Sequence, residues 1–384
     1  MNNKVTIELP RPRGFSEWAM LIMIVKTILS LSVVIPYNDY IDLTLTVVAV
    51  ALFIIDILSQ GYTVKSLALC GVVVLVALYS CVTIGNSALL VTMITCLAIR
   101  NRDINREVEL LYRYELLFFI LHTILAILMW MIGNSEIYVV GAAGIRFHLG
   151  FGNRNRLAIY LFNLVIMWIY LHFDNIKWKN ILMILLLGGG VYALTATRTN
   201  FVEIAITVIL LSLFKVLPKM TKNIVSILCK FLFPLLFVIT IILVQAYSKQ
   251  NPMAIAIDTV LSSRIRLGAY AYIRDGFTLF GQRVLYTAVW DEVYRLSTFT
   301  FDNIYTYFAM NQGIIWMILL SICFFFMSRS DDDKGKFAII VWMLYGMTEV
   351  HGLNCYMCFP LLIVTQLLRN EKWQSNSIQE GRNT

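Results

Sequence analysis

The chain has 384 residues, of which 59% are hydrophobic and 14% are charged, and its formal net charge is +8. Soluble globular proteins contain roughly 45–50% apolar and about 25% charged residues, so this composition does not fit a soluble chain. The basic residues lie in short loops between apolar runs rather than on one surface, which argues against nucleic-acid binding. The sequence therefore predicts an all-α, polytopic integral membrane protein.

Apolar runs of membrane-spanning length recur along the whole chain. A helix that crosses the bilayer needs about 20 predominantly apolar residues. Candidate runs lie at 15–35, 40–59, 65–82, 86–99, 110–132, 155–173, 179–196, 199–217, 224–246, 303–327, 336–350 and 355–368. The fourth and the last two are short, so we expect about 12 crossings (10–12), with the short ones broken, re-entrant or strongly packed.

The distribution of basic residues predicts how the chain is oriented. Most Lys and Arg residues fall in loops on the same side as both termini, which places both termini in the cytoplasm. Residues 1–14 then form a cytoplasmic N-terminal segment, which is too polar for a cleavable signal peptide. Residues 15–368 form a single transmembrane domain with long extracytoplasmic loops at about 133–154 and 247–302, and residues 369–384 form a cytoplasmic tail.

The basic residues assigned to the outer side are nearly all arginine. They are Arg146, Arg154, Arg156, Arg198, Arg264, Arg266, Arg274, Arg283 and Arg295, with Lys249 as the exception. The planar guanidinium group offers a fork of donors that matches phosphate and carboxylate oxygens. This bias predicts an anion site on the outer side. The alternative is that long outer loops tolerate basic residues without using them.

Two outer segments in the first half of the chain are candidates for such a site. Residues 144–156 combine glycines with Arg146, His148, Arg154 and Arg156 at the start of the sixth run. Glycine lets backbone approach a ligand closely, and a helix start presents free N–H groups, so this segment is a candidate phosphate cradle. The alternative is a glycine-rich connection with asparagine caps. A second, tighter turn carries Arg198 between the seventh and eighth runs.

The second half of the chain supplies further candidates. If residues 262–277 are helical, Arg266, Tyr270 and Arg274 share one face of the helix at intervals of four residues. That helix can instead be an amphipathic anchor at the membrane interface. Asp302 and Asn303 open the tenth run, where a carboxylate is costly unless it is paired, used, or caps the helix.

Glu349 and His351 are titratable side chains at the end of the eleventh run, on the same predicted side as Asp302. The paired cysteines Cys355 and Cys358 lack a second pair, and we expect packed thiols there rather than a metal site.

Three of these segments carry a family resemblance: TATRTN (195–200), SSRIRLGAYAYIRDGFTLFGQ (262–282) and DNIYTYFAMNQGIIW (302–316). In their order and spacing, from about residue 140 to 365, the chain resembles the O-antigen and capsular polysaccharide polymerase (Wzy) and O-antigen ligase superfamily. Members commonly have a Thr/Ser-Arg turn, an arginine-bearing segment that ends in Phe-Gly, and a polar-Asn-x-Tyr segment followed by glycine. Ligases and many polymerases of the superfamily have histidine before the asparagine, where this chain has Asp302.

The resemblance implies a GT-C-like membrane glycosyltransferase that uses an undecaprenyl-pyrophosphate-linked oligosaccharide and joins repeat units at the outer face of the cytoplasmic membrane. A pyrophosphate leaving group needs charge neutralisation more than a proton, so arginines suffice, and neither a metal nor another cofactor is expected. Arg154, Arg198, Arg264 and Arg266 are the expected donor ligands, and the further expected substrate-binding residues are Arg146, Arg156, Arg274 and Asn303. The catalytic base stays open among Asp302, His148, Glu349 and His351, and the alternative is that the polar group at 302 only orients the acceptor.

Expected partners are membrane lipids and, by resemblance, a flippase and a chain-length regulator, with no nucleic acid. The alternative functions are an O-antigen-type ligase that transfers glycan to a terminal acceptor, a lipid-linked oligosaccharide flippase or transporter, and a nonenzymatic assembly partner.

Overall fold

The computed structural model describes residues 10, 12–141, 144–261, 263–284, 294 and 299–368. Three predicted regions lie wholly or partly outside the described residues: most of the N-terminal segment 1–14, the tail 369–384, and parts of the loop 247–302 that include Arg295.

The described chain is mostly helical, and its helices follow the apolar runs. They are α1 (Phe15–Leu31), α2 (Asp39–Ser59), α3 (Val64–Ile84), α4 (Ala88–Ala98), α5 (Ile104–Met131), α6 (Arg154–His172), α7 (Trp178–Thr195), α8 (Arg198–Val216), α9 (Pro218–Ser248), α10 (Pro252–Val260), α11 (Arg264–Asp275), α12 (Ile304–Tyr307), α13 (Ile314–Met327) and α14 (Asp333–Tyr345). A 3-10 helix, Phe359–Leu368, ends the described chain.

Among the described residues, seven helices are long and apolar enough to cross a membrane: α2, α3, α5, α6, α7, α8 and α9. The chain is therefore a helical, membrane-embedded protein. The helices α4 and α13 and the final 3-10 helix are apolar but shorter. At 1.5 Å per residue, the 14 residues of α13 reach about 21 Å, less than the hydrocarbon core of about 30 Å.

A small hairpin interrupts the helices. Its strands, β1 (Tyr138–Gly141) and β2 (Gly144–Phe147), pair antiparallel with Tyr138 opposite Phe147. The rings of these two residues pack edge to face, with centroids 5.8 Å apart. The hairpin adds two short strands to the expected all-α fold.

The chain divides into two compact units. The first unit contains the described residues up to Thr63 and those from Ile94 to Val208, and in it α1 packs on α2 and α5, α5 on α6, and α6 on α7. The second unit contains Val64–Met93 and Ile209–Leu368. Its central helix is α9, which contacts α10, α11, α12, α13 and α14.

In the second unit, the predicted run 303–327 is not one helix. It consists of α12, a π-helical turn (Phe308–Gln312) and α13, which begins after Gly313. Gly313 has φ +101°, and a Cβ there would lie 2.6 Å from the backbone nitrogen of Gly281. A Cβ at Gly281, φ +97°, would lie 2.7 Å from the carbonyl oxygen of Asn311. The Phe-Gly turn therefore packs directly on the break.

Candidate functional site

Helix α11 places the arginines of the second unit. It is helical as the sequence predicted, and its glycine, Gly268, sits so close to α9 and α12 that a Cβ would lie 2.9 Å from side-chain methyls of Thr306 and Val244. This close approach brings the first residue of the helix, Arg264, beside the segment that leads into α12.

The guanidinium group of Arg264 is buried and surrounded by acceptors. Its Nε donates to the carbonyl oxygens of Thr348 at 2.7 Å and Asp302 at 3.3 Å, and Nη1 donates to that of Leu261 at 3.3 Å. Its Nη2 lies 3.5 Å from Oε1 of Glu349. Arg264 therefore connects three chain segments of the second unit next to the carboxyl group of Glu349. Its donors contact groups of the protein rather than an external ligand.

Two carboxyl groups face this arginine. Glu349 follows the end of α14 and is buried, which raises its pKa to about 8; Arg264 opposes that increase and Asp302 adds to it. Burial also raises the pKa of Asp302, against the lowering effects of Arg264 and of a hydrogen bond that Thr300 donates at 3.3 Å. Asp302 is the more exposed of the two. The structure thus brings Asp302, Glu349 and Arg264 together.

Asn303 holds this arrangement in place. Its side-chain oxygen accepts from the backbone N–H groups of Tyr305 and Thr306 at the start of α12, and its Nδ2 donates to the carbonyl oxygen of Met347 at 3.0 Å. The amide that the sequence suggested as a substrate contact therefore caps α12 and fastens it to the segment before Glu349.

The other arginines of α11 lie on a different face. The backbone N–H of Arg266 donates to Asp258 at 2.9 Å, and its buried side-chain Nε has no acceptor among the residues that the structure describes. Arg274 pairs with Asp275 at 2.6 Å and lies over the rings of Tyr270 and Phe299. Its Nη1 is also buried, with no acceptor in the described part of the chain. Both guanidinium groups thus keep a donor for a further anion or carbonyl oxygen.

In the first unit, the Arg198 turn and the start of α6 lie together. Nη1 of Arg154 is 3.5 Å from the carbonyl oxygen of Thr195, and the hydroxyl of Thr197 is 3.4 Å from Oδ1 of Asn155. The side chains of Arg156 and Arg198 are exposed. The backbone reverses at Ala196, whose φ is +52°.

The glycines before α6 contact the protein's own side chains. A Cβ at Gly150 would lie 2.7 Å from Ala126 and 2.8 Å from Val34, and one at Gly152 would lie 2.6 Å from Val33. Asn153 caps α6 by accepting from the N–H of Asn155. This matches the asparagine-capped connection that was the alternative to a phosphate cradle.

Two residues of this segment keep unused polar atoms. Arg146 lies in β2 opposite Val139, close enough to Arg154 for the two charges to repel. Its buried Nε has no acceptor among the residues described. His148 follows β2 and is buried, which lowers its pKa. Its Nδ1 also has no partner among the described residues. A neutral imidazole suits a base, although no carboxylate orients this one through a hydrogen bond.

Sequence reasoning missed two buried polar side chains. Asn200, in the first turn of α8, is buried, and neither of its amide atoms has a hydrogen-bond partner within the described ranges. Glu115 lies fully buried in α5 and accepts from Asn163 of α6 at 3.0 Å. The signal for Glu115 was a lone acidic residue within an apolar run. Asn200 ends the TATRTN segment, but that motif does not show that its side chain is buried, because the burial depends on how α8 packs.

The second unit therefore offers a pair of carboxyl groups beside a fixed guanidinium, and each unit carries further arginines with available donors. Such a set can accept a proton and bind an oxyanion. Comparison with known proteins gave no match to any protein-family model, curated protein or solved structure.

Proposed function

We propose that this chain is a membrane polysaccharide polymerase, a glycosyltransferase that joins undecaprenyl-pyrophosphate-linked repeat units. The observation that carries the proposal is the pair Asp302 and Glu349 beside Arg264, and two of these residues, Asp302 and Arg264, lie in segments that resemble the Wzy and ligase superfamily. The position where many members have histidine holds a carboxyl group whose pKa is raised, and a raised pKa makes Asp302 a stronger base than an ordinary aspartate.

In the proposed reaction, a sugar hydroxyl of the acceptor attacks the anomeric carbon of the donor. The hydroxyl proton passes to Asp302 as the new C–O bond forms, and the bond from the anomeric carbon to the phosphate oxygen breaks with its electron pair. Undecaprenyl pyrophosphate leaves. Arg264 holds Glu349 and the backbone carbonyl of Asp302, so it fixes the base rather than binding the donor.

The remaining arginines support anion binding. In the described part of the chain, one buried guanidinium nitrogen has no acceptor in each of Arg266 and Arg274 of the second unit and Arg146 of the first. The guanidinium of Arg154, also in the first unit, makes a long contact of 3.5 Å with the carbonyl oxygen of Thr195. The exposed side chains of Arg156 and Arg198 add charge to the first unit. Each charge-assisted hydrogen bond to a diphosphate contributes about 1.5–3 kcal/mol. We propose that these groups bind the diphosphates of lipid-linked substrates.

We further propose a GT-C-like arrangement in the cytoplasmic membrane, with 10–12 crossings and both termini in the cytoplasm. Helix α1 would add a crossing to the seven long apolar helices of the described chain, because its 17 residues extend about 26 Å. The broken run Ile304–Met327 would cross as one unit, because irregular backbone at membrane depth is tolerated where protein satisfies it.

The test incubates the purified full chain in lipid nanodiscs with a defined undecaprenyl-pyrophosphate-linked repeat and reads product masses. We expect a ladder of lipid-linked oligomers from the wild type and single repeats from Asp302→Asn. A ligase would instead transfer preformed glycan to a terminal acceptor without lengthening it. Unchanged repeats from the wild type with every acceptor tried would reject glycosyl transfer, and movement of repeats across the bilayer would indicate a transporter.

A further inference from the structure

Helices α9 and α13 of the second unit leave a groove of about 580 Å³ between them. Pro234 lies inside α9 at the middle of the groove, where proline removes a backbone hydrogen bond and bends a helix. The walls are apolar and include Val238, Ile318 and Phe326, all of them exposed. Because α9 is long and apolar enough to cross the membrane, the exposed apolar walls of this groove are in contact with lipid chains.

One end of the groove is cationic. The ammonium group of half-buried Lys230 lies 4.6 Å from the ring centroid of Phe231 and 4.9 Å from that of Phe325. The guanidinium carbon of Arg329 lies 4.5 Å from the Phe325 ring. Among the residues that the structure describes, neither cation has a carboxylate within ion-pair distance.

Lys230 lies inside the apolar part of α9. The apolar run of this helix begins at residue 224, so Lys230 is about 9 Å along the axis from its start. A cation at such a depth is costly without an anion, and aromatic faces compensate for only part of that cost. Arg329 follows the end of α13, so the two cations reach the same end of the groove from both helices.

The surrounding charges leave this end positive. Besides Lys230 and Arg329, the nearby segments carry Lys222, Lys334 and Lys336, against Asp331, Asp332 and Asp333. Asp333 is already paired with Lys222 at 2.7 Å and Lys336 at 3.2 Å. Asp332 accepts from Gln366 at 2.8 Å. These two carboxylates are therefore occupied, and Lys230 and Arg329 remain available for an external anion.

We propose that this groove is a binding site for an anionic membrane phospholipid, with the headgroup phosphate between Lys230 and Arg329 and one acyl chain along α13. From Phe325 back to Ile314 the groove runs about 16 Å, close to the thickness of one leaflet, about 15 Å. Basic pockets between transmembrane helices recognise anionic headgroups in this way. The site is separate from Asp302 and Glu349 and does not depend on the proposed function.

The test measures lipid retained by the full chain, purified after exchange into mixed micelles with equal amounts of phosphatidylglycerol and phosphatidylcholine, by native mass spectrometry. We expect the wild type to prefer phosphatidylglycerol. Each of Lys230→Ala and Arg329→Ala should lower that preference about fivefold. Lys219→Ala is the matched control, because it removes the same charge from an exposed position of α9 outside the groove, and it should retain the wild-type preference.

A second variant separates the groove from its charges. Ser321 lines the groove, so Ser321→Trp fills it while leaving Lys230 and Arg329 in place. Loss of retained phosphatidylglycerol from this variant supports the site. Equal retention of both lipids by the wild type, an unchanged preference in the Lys230→Ala Arg329→Ala double variant, or an equal loss in Lys219→Ala would each overturn the proposal.

Discussion

Arg264 and Glu349 lie side by side in the protein interior, with Nη2 and Oε1 3.5 Å apart, and the same guanidinium group donates to the carbonyl oxygens of Asp302 and Thr348. The pair thus connects the N-terminus of α11 to the segments before α12 and after α14. A diphosphate ligand would need those donors free. Arg264 consequently determines where Asp302 and Glu349 lie, and the effects of substitutions here depend on that positioning role.

Replacement of Asp302 tests the base. Asp302→Asn removes the proton acceptor and should lower the polymerisation rate by about 10²–10⁴-fold. Asp302→His restores an acceptor and should recover part of the rate. Because a base must be deprotonated, the rate of the wild type should rise with pH through a pKa above 3.8, the ordinary value of aspartate. In Asp302→His the rising limb should move towards about 6.5.

The corresponding measurement is a pH–rate profile of ladder formation with a fixed lipid-linked repeat. Full activity of Asp302→Asn, or the same rising limb in both active proteins, would show that another group accepts the proton. His148→Asn is a useful companion, because His148 is the alternative base in the first unit, and its rate should stay near that of the wild type.

The stability of the chain should depend on pH through Glu349. Burial raises the pKa of this carboxyl from 4.5 to about 8, so the folded protein favours the protonated form. The resulting stability is fully present below pH 4.5 and is lost as pH rises through about 8. Glu349→Gln resembles the protonated form. Between pH 6.5 and 9, we expect the thermal midpoint of the wild type to fall by more than that of the variant. The midpoints are measured in detergent by intrinsic fluorescence. Equal falls in the two proteins would contradict the raised pKa of Glu349.

Arg264 and Arg198 should give opposite signatures when each is replaced by alanine. Arg264→Ala leaves buried carbonyl oxygens and a buried carboxyl group without their donor, and should cost about 3–5 kcal/mol of stability together with activity. The side chain of Arg198 is exposed, so Arg198→Ala should change stability by less than about 0.5 kcal/mol while shortening the glycan product. Thermal midpoints and product ladders of both variants, measured side by side, check this contrast.

A further prediction concerns the interlocked glycines. Gly281→Ala and Gly313→Ala each place a Cβ within 2.7 Å of backbone atoms at a positive φ, and each should destabilise the protein by at least about 2 kcal/mol. Gly189→Ala is the control: nothing lies within 4 Å of its Cβ position in α7, and alanine favours helix. Thermal midpoints should fall for the first two variants and stay level or rise for the control.

Much of the fold could be predicted from the sequence, because apolar runs of helical length mark helices wherever they pack. The bounds of α2, α6 and α9 lie within a few residues of the predicted runs, apart from an N-terminal extension of α9 by polar residues. The break at Gly313 could not be foreseen in this way. It depends on backbone contacts with Gly281, thirty-two residues earlier, and hydrophobic pattern carries no information on such a contact.

For the candidate site, the sequence singled out Arg264, Asp302 and Glu349 but did not show how their side chains are arranged. Arg264 and Arg266 are two positions apart in one helix and therefore point to different sides, yet only packing shows which side is buried. A usable signal was present: Arg264, Gly268 and Ala271 form a stripe at helical spacing, and the small residues mark the face that packs closely. Arg266, Tyr270 and Arg274 share the other, less buried face, as the spacing predicted.

The contact between the Phe-Gly turn and the break before α13 also shows where the chain can be lengthened. Gly281 lies on the backbone at Gly313, and after residue 298 the chain returns through Phe301 to the ring of Tyr307, 5.3 Å away. The described residues on both sides of 285–298 are therefore fixed to the same small region of α12 and its π-helical turn. An epitope tag inserted between 285 and 293, away from Tyr294, which packs on Tyr247 and Tyr270, should leave those anchors intact. Antibody access to the tag in intact cells would report on which side of the membrane it lies.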